Sequence, residues 1–283
     1  MINQDQINTY WEREVCDTRF SNTPDGYKHY IEIKNARYRT EPYIKEFAFS
    51  NKYLSIAGMK ILEIGVGSGA DLIEFLKRDA VCFGIDSTEA SVKEATRNTQ
   101  IALTNDQLKN LKFLKQVNAE KLPFENDEFD IVYSHGVIHH AKNTMSCIAE
   151  AIRVLKPGGT LKLMVYSNFS ATGFLLWILY GLAKLRVFLS QEQIISEHLE
   201  SPGTKSYSKR EFRKILEGFG LSNIVFNKYA CAGDLMLMPP SEKYKKTSTS
   251  IFLFYLVKKF YPRRIVRKFQ NVLGIALTAT AIK

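Results

Sequence analysis

Between residues 60 and 166, short apolar runs alternate with amphipathic stretches, and this is the strongest pattern in the chain. The runs at 60–64 (KILEI), 80–85 (AVCFGI), 112–117 (KFLKQV), 129–134 (FDIVYS) and 160–166 (TLKLMVY) have the length of buried strands. The stretches at 70–78, 88–103 and 144–154 predict helices between them. Such alternation predicts an α/β fold with right-handed crossovers, a mostly parallel sheet and helices on both faces. The flanks read differently. Residues 5–16 and 27–49 predict helices, with Pro42 and Asn51 as interruptions. Residues 171–200 predict an apolar, then polar, helical insertion, and 207–218 an amphipathic helix ended by Gly218 and Gly220. Beyond these come a strand at 222–230, a basic amphipathic helix at 250–270 broken at Pro262, and a last strand at 274–283.

Composition changes this picture in one respect. The 283 residues suit one elaborated domain, and 45% apolar with 24% charged residues is ordinary for a globular chain. The net charge of +10 is unevenly spread. From Ser241 to Lys283 stand seven lysines and three arginines against Glu242 alone, a local net of +9. A segment of this kind suits an anionic partner, a lipid surface or a nucleic acid, or is a solvated basic face. The four cysteines, Cys16, Cys82, Cys147 and Cys231, lie far apart and in no metal-ligand spacing, which fits a reducing cytosol. The first residues lack the regions of a signal peptide, and the apolar run Phe174–Ala183 is ten residues, short of the ~20 needed to span a bilayer.

Three features carry chemistry. Gly65, Gly67 and Gly69 follow the first strand, so the backbone can turn sharply and approach a ligand closely. Gly65-x-Gly67-x-x-Ala70 also satisfies the looser dinucleotide fingerprint. Asp86, 21 residues beyond Gly65, stands where an acid accepts hydrogen bonds from ribose hydroxyls, or else supports the cap of the next helix. Glu63 separates the donor classes. An acid in an apolar strand costs free energy unless a positive group meets it. It would repel a pyrophosphate but favour an ammonium or sulfonium, unless a local Lys or Arg neutralises it.

The run Ile61-Leu62-Glu63-Ile64-Gly65-Val66-Gly67-Ser68-Gly69 resembles motif I of class I S-adenosylmethionine-dependent methyltransferases. The likeness is to the small-molecule branch that includes the ubiquinone-biosynthesis-like (type 11) enzymes. Gly84–Ser87, Asn118–Phe124, Phe129–Ser134 and Val154–Leu161 resemble the later motifs in order and spacing, so the likeness covers about 58–166. Asn118 departs from the family's usual Asp, although its carbonyl can still accept from an adenine amino group. The resemblance implies a Rossmann-like doubly wound sheet of seven strands, the last antiparallel. S-adenosylmethionine would lie across the strand ends and leave as S-adenosylhomocysteine. It implies cofactor contacts from Glu63, Gly65, Gly67, Gly69, Asp86, Ser87, Asn118, Ala119, Glu120 and Ser134. It also implies a helical lid over 1–57, from which Tyr38 and Arg39 reach the cofactor's carboxylate. The remainder, 58–283, would be the catalytic domain with insertions at about 170–205 and 232–270.

On the acceptor side, Ser134–His140 lacks the Asp/Asn-Pro-Pro-aromatic tetrad of enzymes resembling this one that methylate exocyclic amines. His139, ahead of His135 and His140, is the candidate base for an acidic hydroxyl or carbon, against simple packing. The expected acceptor is therefore a small molecule methylated on oxygen or carbon by in-line displacement. The 174–183 run and the 250–270 segment, apolar at 251–257 with basic flanks, point to a lipophilic or membrane-held acceptor. They equally fit internal packing or a homodimer contact. The expected location is cytoplasmic, peripheral at the inner membrane face. Alternatives are a methyltransferase of RNA or protein using the basic segment, disfavoured by its few stacking aromatics, and a non-catalytic cofactor-binding protein.

Overall fold

A computed structural model describes residues 4–13, 15–50, 55–201, 203–237, 255 and 258–283. Before the sheet come α1 (Gln4–Arg13), α2 (Gly26–Thr40) and α3 (Ile44–Phe49), the last two separated at Pro42 as expected. The expected interruption at Asn51 lies outside the described residues. The alternating region follows as β1 (Lys60–Ile64), α4 (Ala70–Leu76), β2 (Val81–Asp86), α5 (Glu89–Ala102), α6 (Asn105–Leu108) and β3 (Leu111–Gln116). It continues as β4 (Phe129–His135), α7 (Thr144–Val154) and β5 (Leu155–Ser167). Then come α8 (Ala171–Tyr180), α9 (Gln191–His198), β6 (Ser206–Tyr207), α10 (Lys209–Gly218), β7 (Ser222–Tyr229), α11 (Arg263–Lys268), α12 (Gln270–Leu273) and β8 (Ala276–Ile282).

The strand order is β3-β2-β1-β4-β5-β8-β7, with the two-residue β6 beside β5. β8 runs antiparallel to both β5 and β7, and the other pairings are parallel. This is the expected doubly wound sheet plus one short extra strand. β1 lies between β2 and β4, with Ile61 in register with Cys82 and Ile131. Ile61, Leu62 and Ile64 are buried, each contributing roughly 1.5–3 kcal/mol of transfer free energy. Chain order reverses between β1 and β4, the position at which doubly wound sheets hold ligands.

A buried lysine joins the leading helices to this sheet. Lys162 on β5 donates its ammonium hydrogens to the carbonyls of Phe47, Ala48 and Ser50, the otherwise unpaired end of α3. Burial lowers its pKa to about 8. The 250–270 segment is only partly described: 258–260 are helical, the chain turns at Pro262, and α11 follows. The apolar stretch 251–257 lies outside the described residues save Tyr255.

Candidate active site

At the carboxyl ends of β1, β2 and β4 lies an open-mouthed cavity of about 950 Å³, a volume that includes the open solvent at its mouth. Its floor is the loop after β1. Gly65 has φ +82°, and a Cβ there would stand 2.1 Å from a Val137 methyl, so glycine is required by both backbone and space. Gly67 is also left-handed, and its N–H donates to Asp86 Oδ2 at 3.1 Å. The other oxygen of Asp86 accepts from Thr88 N–H and Oγ–H, so this acid both supports the start of α5 and faces the cavity.

The mouth is bridged by α1. The Glu12 carboxylate accepts from the N–H groups of Glu89 and Ala90 at the start of α5. At the other end Gln4 accepts from the Lys142 N–H. Gln4, Ile7 and Trp11 consequently line the cavity from above.

The electrostatics of the wall are decisive. Asp17, Glu63, Asp71 and Asp86 line it against a single guanidinium, Arg37. Glu63 is buried and its Oε2 has no hydrogen-bond partner. Burial, then the nearby Asp71, pushes its pKa well above the usual carboxylate range. The local Lys or Arg pairing considered as the alternative does not occur among the described residues. Asp71 is the reverse case. Burial would raise it, but Arg37 donates to it at 3.0 and 2.6 Å, and Tyr38 and Tyr133 donate at 2.8 and 2.7 Å, holding it at about 2. Arg37 also pairs with Asp17 at 2.9 Å.

Of the expected cofactor residues, the structure brings Glu63, Gly65, Gly67, Asp86, Ser87, Asn118 and Ala119 to the wall. Five of the expected cofactor residues lie off the wall. Gly69 turns under Ala95 at the start of α4, and Ser68 and Ala70 face the cavity instead. Ser134 is fully buried within β4, and the next residue, His135, reaches the wall. Glu120 points away and accepts from Asn143 N–H at the start of α7. Tyr38 is turned onto Asp71, and Arg39 borders a separate hollow with Lys34 and Glu74. From α2 it is Arg37 that reaches the wall. Helical spacing could have found it, since Arg37 shares its face of α2 with buried Tyr30 and Ile33.

The histidines divide by environment. His139 does not line the cavity; it is sealed between the rings of His140 and Tyr166, both 4.2 Å away, with neither nitrogen bonded. That corrects the preference for His139. His140 is on the wall, but its Nδ1 meets Ser201 and Thr204 at 2.9 and 3.0 Å. Its Nε2 lies 3.3 Å from Glu200, within ion-pair distance but without hydrogen-bond alignment. His135 receives an N–H from Arg37 on Nδ1 at 3.4 Å and meets the Tyr43 hydroxyl with Nε2 at 2.9 Å. Burial, then Arg37, lowers its pKa to about 3, so it stays neutral.

Sequence reasoning passed over one carboxylate. Glu41 follows α2 and does not itself line the cavity; its oxygen lies 3.8 Å from Nε2 of His135, which does, and its side chain keeps 19% of its surface accessible. Burial raises its pKa to about 7 against the opposing pull of Arg37. An acid at a helix end followed by Pro42 looks like an ordinary boundary, so nothing local marks it.

Residues 62–163 match the family described as methyltransferase domain. The chain carries a methyltransferase domain over those residues. Among curated relatives, an uncharacterized methyltransferase, YcgJ, of Bacillus subtilis (strain 168) is 32% identical over 105 residues, 37% of this chain and 40% of that protein. The demethylmenaquinone methyltransferase of Tropheryma whipplei (strain Twist) is 26% identical over 170 residues, 59% of this chain and 68% of that one. The first of these relatives thus extends well beyond the matched part of the methyltransferase domain. Among solved structures, geranyl diphosphate C-methyltransferase from Streptomyces coelicolor A3(2), in complex with Mg2+, geranyl diphosphate and S-adenosyl-L-homocysteine, superposes with a TM-score of 0.57. It is 15% identical, and the alignment covers 99% of this chain and 97% of that one. At this identity the likeness is one of fold.

Proposed function

We propose that the protein transfers the methyl group of S-adenosylmethionine to an oxygen or carbon of a small lipophilic acceptor met at a membrane surface. The observation that carries the donor half is the wall of four carboxylates and one guanidinium, with the buried Glu63 oxygen left unpartnered. That wall favours a cationic donor and repels a dinucleotide pyrophosphate. Glu63 is the group for the donor's ammonium, directly or through water, Arg37 for its carboxylate, Asp86 for the ribose hydroxyls and Asn118 for the adenine edge. When bound, S-adenosylmethionine supplies an electrophilic methyl carbon on a sulfonium. The chain's own work is to position the acceptor, exclude water and remove a proton. The segment before β1 acts as a lid, since α1 is tied to both rims of the mouth.

Glu41 is the general base of this reading. His139 is sealed, His140 has protein partners at both nitrogens, and His135 is held neutral with both nitrogens engaged. A carboxylate titrating near neutrality beside His135 is matched to taking the proton of an acidic hydroxyl. The acceptor's O–H proton passes to Glu41 while its oxygen forms the new bond to carbon; the C–S bonding pair stays on sulfur.

Calorimetry with S-adenosylhomocysteine and with NAD tests the donor assignment. The expected result is saturable binding of the first and none of the second. Binding of NAD, or silence with both, overturns it. A second measurement follows from Asn118, whose side-chain oxygen accepts from the Glu120 N–H at 2.9 Å. Asn118→Asp keeps that bond and adds a charged acceptor for the adenine amino group. S-adenosylhomocysteine should bind a few-fold to about tenfold tighter in the same titration.

A further inference from the structure

The helix α8 carries no charged residue (ATGFLLWILY) and is apolar from Phe174 onward, yet it buries only Ala171, Thr172 and Gly173. Phe174, Ile178 and Leu182 recur at helical spacing and are exposed, and Leu179 beside them is exposed too. In the loop that follows, Leu185 is 88% and Phe188 is 99% exposed. Scattered surface apolar residues are ordinary, but a helical stripe of them continued by a protruding loop is not.

A second apolar row lies on the same flank. Ile265, Phe269 and Val272 are exposed on α11 and α12. The two rows are joined: the Lys228 ammonium donates to the carbonyls of both Phe169 and Val272. Asp234 accepts from Thr172 of α8, from Cys231 N–H and from Ile275 N–H. Ala171, Leu235 and Val266 pack together beneath.

The charges around these rows choose the occupant. Between residues 258 and 273 stand Lys258, Lys259, Arg263, Arg264, Arg267 and Lys268 with no acid. Arg264, Arg267 and Lys268 are exposed among the apolar residues. The loop adds Lys184, and Arg186, which pairs with Glu197 at 3.2 Å. No helix among the described residues is long and apolar enough to cross a membrane. Apolar side chains interleaved with cations on a non-spanning surface are the composition of an interfacial lipid contact.

We infer that the flank formed by α8, the 181–189 loop, α11 and α12 docks on the surface of an anionic phospholipid bilayer. The inference rests on the reading of a membrane-held acceptor and assigns the residues that meet the lipid. The flank borders the acceptor side, because Cys231 beside Asp234 also contacts the Tyr43 hydroxyl that meets His135. An apolar acceptor dissolved in the bilayer would enter beside the cavity without crossing water.

The test is co-sedimentation of the full chain with phosphatidylcholine vesicles and with vesicles also containing phosphatidylglycerol. Binding should be at least about tenfold tighter to the anionic vesicles and should weaken with salt. The variant Arg264→Gln/Arg267→Gln/Lys268→Gln should bind them on the order of 100-fold more weakly. The variant Leu185→Ser/Phe188→Ser should lose about tenfold or more on both vesicle types. Both variants should keep wild-type melting temperature and S-adenosylhomocysteine affinity, so a loss of docking is separable from a loss of the cofactor site. Equal binding of wild type to both vesicles, or to neither, overturns the inference. A concentration-dependent dimer in sedimentation velocity, abolished by Leu185→Ser/Phe188→Ser, overturns it in favour of a second copy of the chain.

Discussion

Arg37→Met is expected to cost about 3–5 kcal/mol of folding stability, much of what a domain of this size possesses. The reason is what the substitution leaves behind. Methionine can fill much of the space, but Asp71 is buried and would keep only the hydroxyls of Tyr38 and Tyr133. An uncompensated carboxylate in that position must either pay for its desolvation or take up a proton. Linkage gives the pH dependence. The folded-state pKa of Asp71, about 2, lies below its unfolded value of roughly 3.9. Its stabilisation is therefore present above pH ~4 and lost as pH falls toward 2, and Arg37→Met should flatten that acid limb. Adding Asp71→Asn to Arg37→Met should recover more than half of the lost stability, because the uncharged amide oxygen accepts from one tyrosine hydroxyl while its NH2 donates to the oxygen of the other. Urea unfolding of the three proteins between pH 3 and 7 measures all of this. A cost below about 1 kcal/mol for Arg37→Met would show that the carboxylate is satisfied without the guanidinium.

The alternating core was legible because its signal is local. β1 is KILEI in both readings, and α7 spans Thr144–Val154 as the pattern predicts. The boundaries of β2 and β3 shift by a residue, since strand ends depend on neighbours as much as on their own composition. The donor half of the site was legible for the same reason: Glu63, the glycine loop and Asp86 are contributed by consecutive strand ends. What could not be read was made by long-range meetings. Arg37 matters through Asp71, which is 34 residues away, and through His135, which is 98 away. His139 had the right chemistry and the right neighbourhood, yet the ring of Tyr166 on β5 closes over it. No local pattern distinguishes a histidine beside a cavity from one sealed behind its wall. Phe174–Ala183 shows the opposite limit. Its apolarity was plain in the sequence, but only the fold shows that α8 leaves most of that surface uncovered.

Glu41→Gln should make the protein more stable above neutrality while removing its catalytic base. Burial raises the folded-state pKa of Glu41 to about 7, against roughly 4.3 in the unfolded chain. The groups facing it are Arg37 from α2, His135 from β4, Cys231 after β7, Asp17 and Glu200. Arg37 and the hydrogen bond with Cys231 favour the charged form, and burial outweighs both. A raised carboxylate contributes stability that is fully present below pH ~4 and lost as pH rises through 7. Glutamine keeps the neutral shape and escapes that loss. The variant should match wild type near pH 4 and exceed it by about 2–3 kcal/mol at pH 8, by urea unfolding at each pH. Its affinity for S-adenosylhomocysteine should hold, because Glu41 is not among the residues that line the cavity. Turnover should behave in the opposite sense. With an alkyl-substituted phenol that the wild type methylates, the rate should rise with pH to a plateau near 7. In Glu41→Gln the rate should fall on the order of 10²–10⁴-fold and lose that limb. Equal stability differences at pH 4 and 8 would refute the perturbed carboxylate. A stability gain confined to high pH with an unchanged rate profile would keep the buried acid but deny it the proton transfer. Stability gained and activity lost through the same titration is what a carboxylate held at a cost for its chemistry must show.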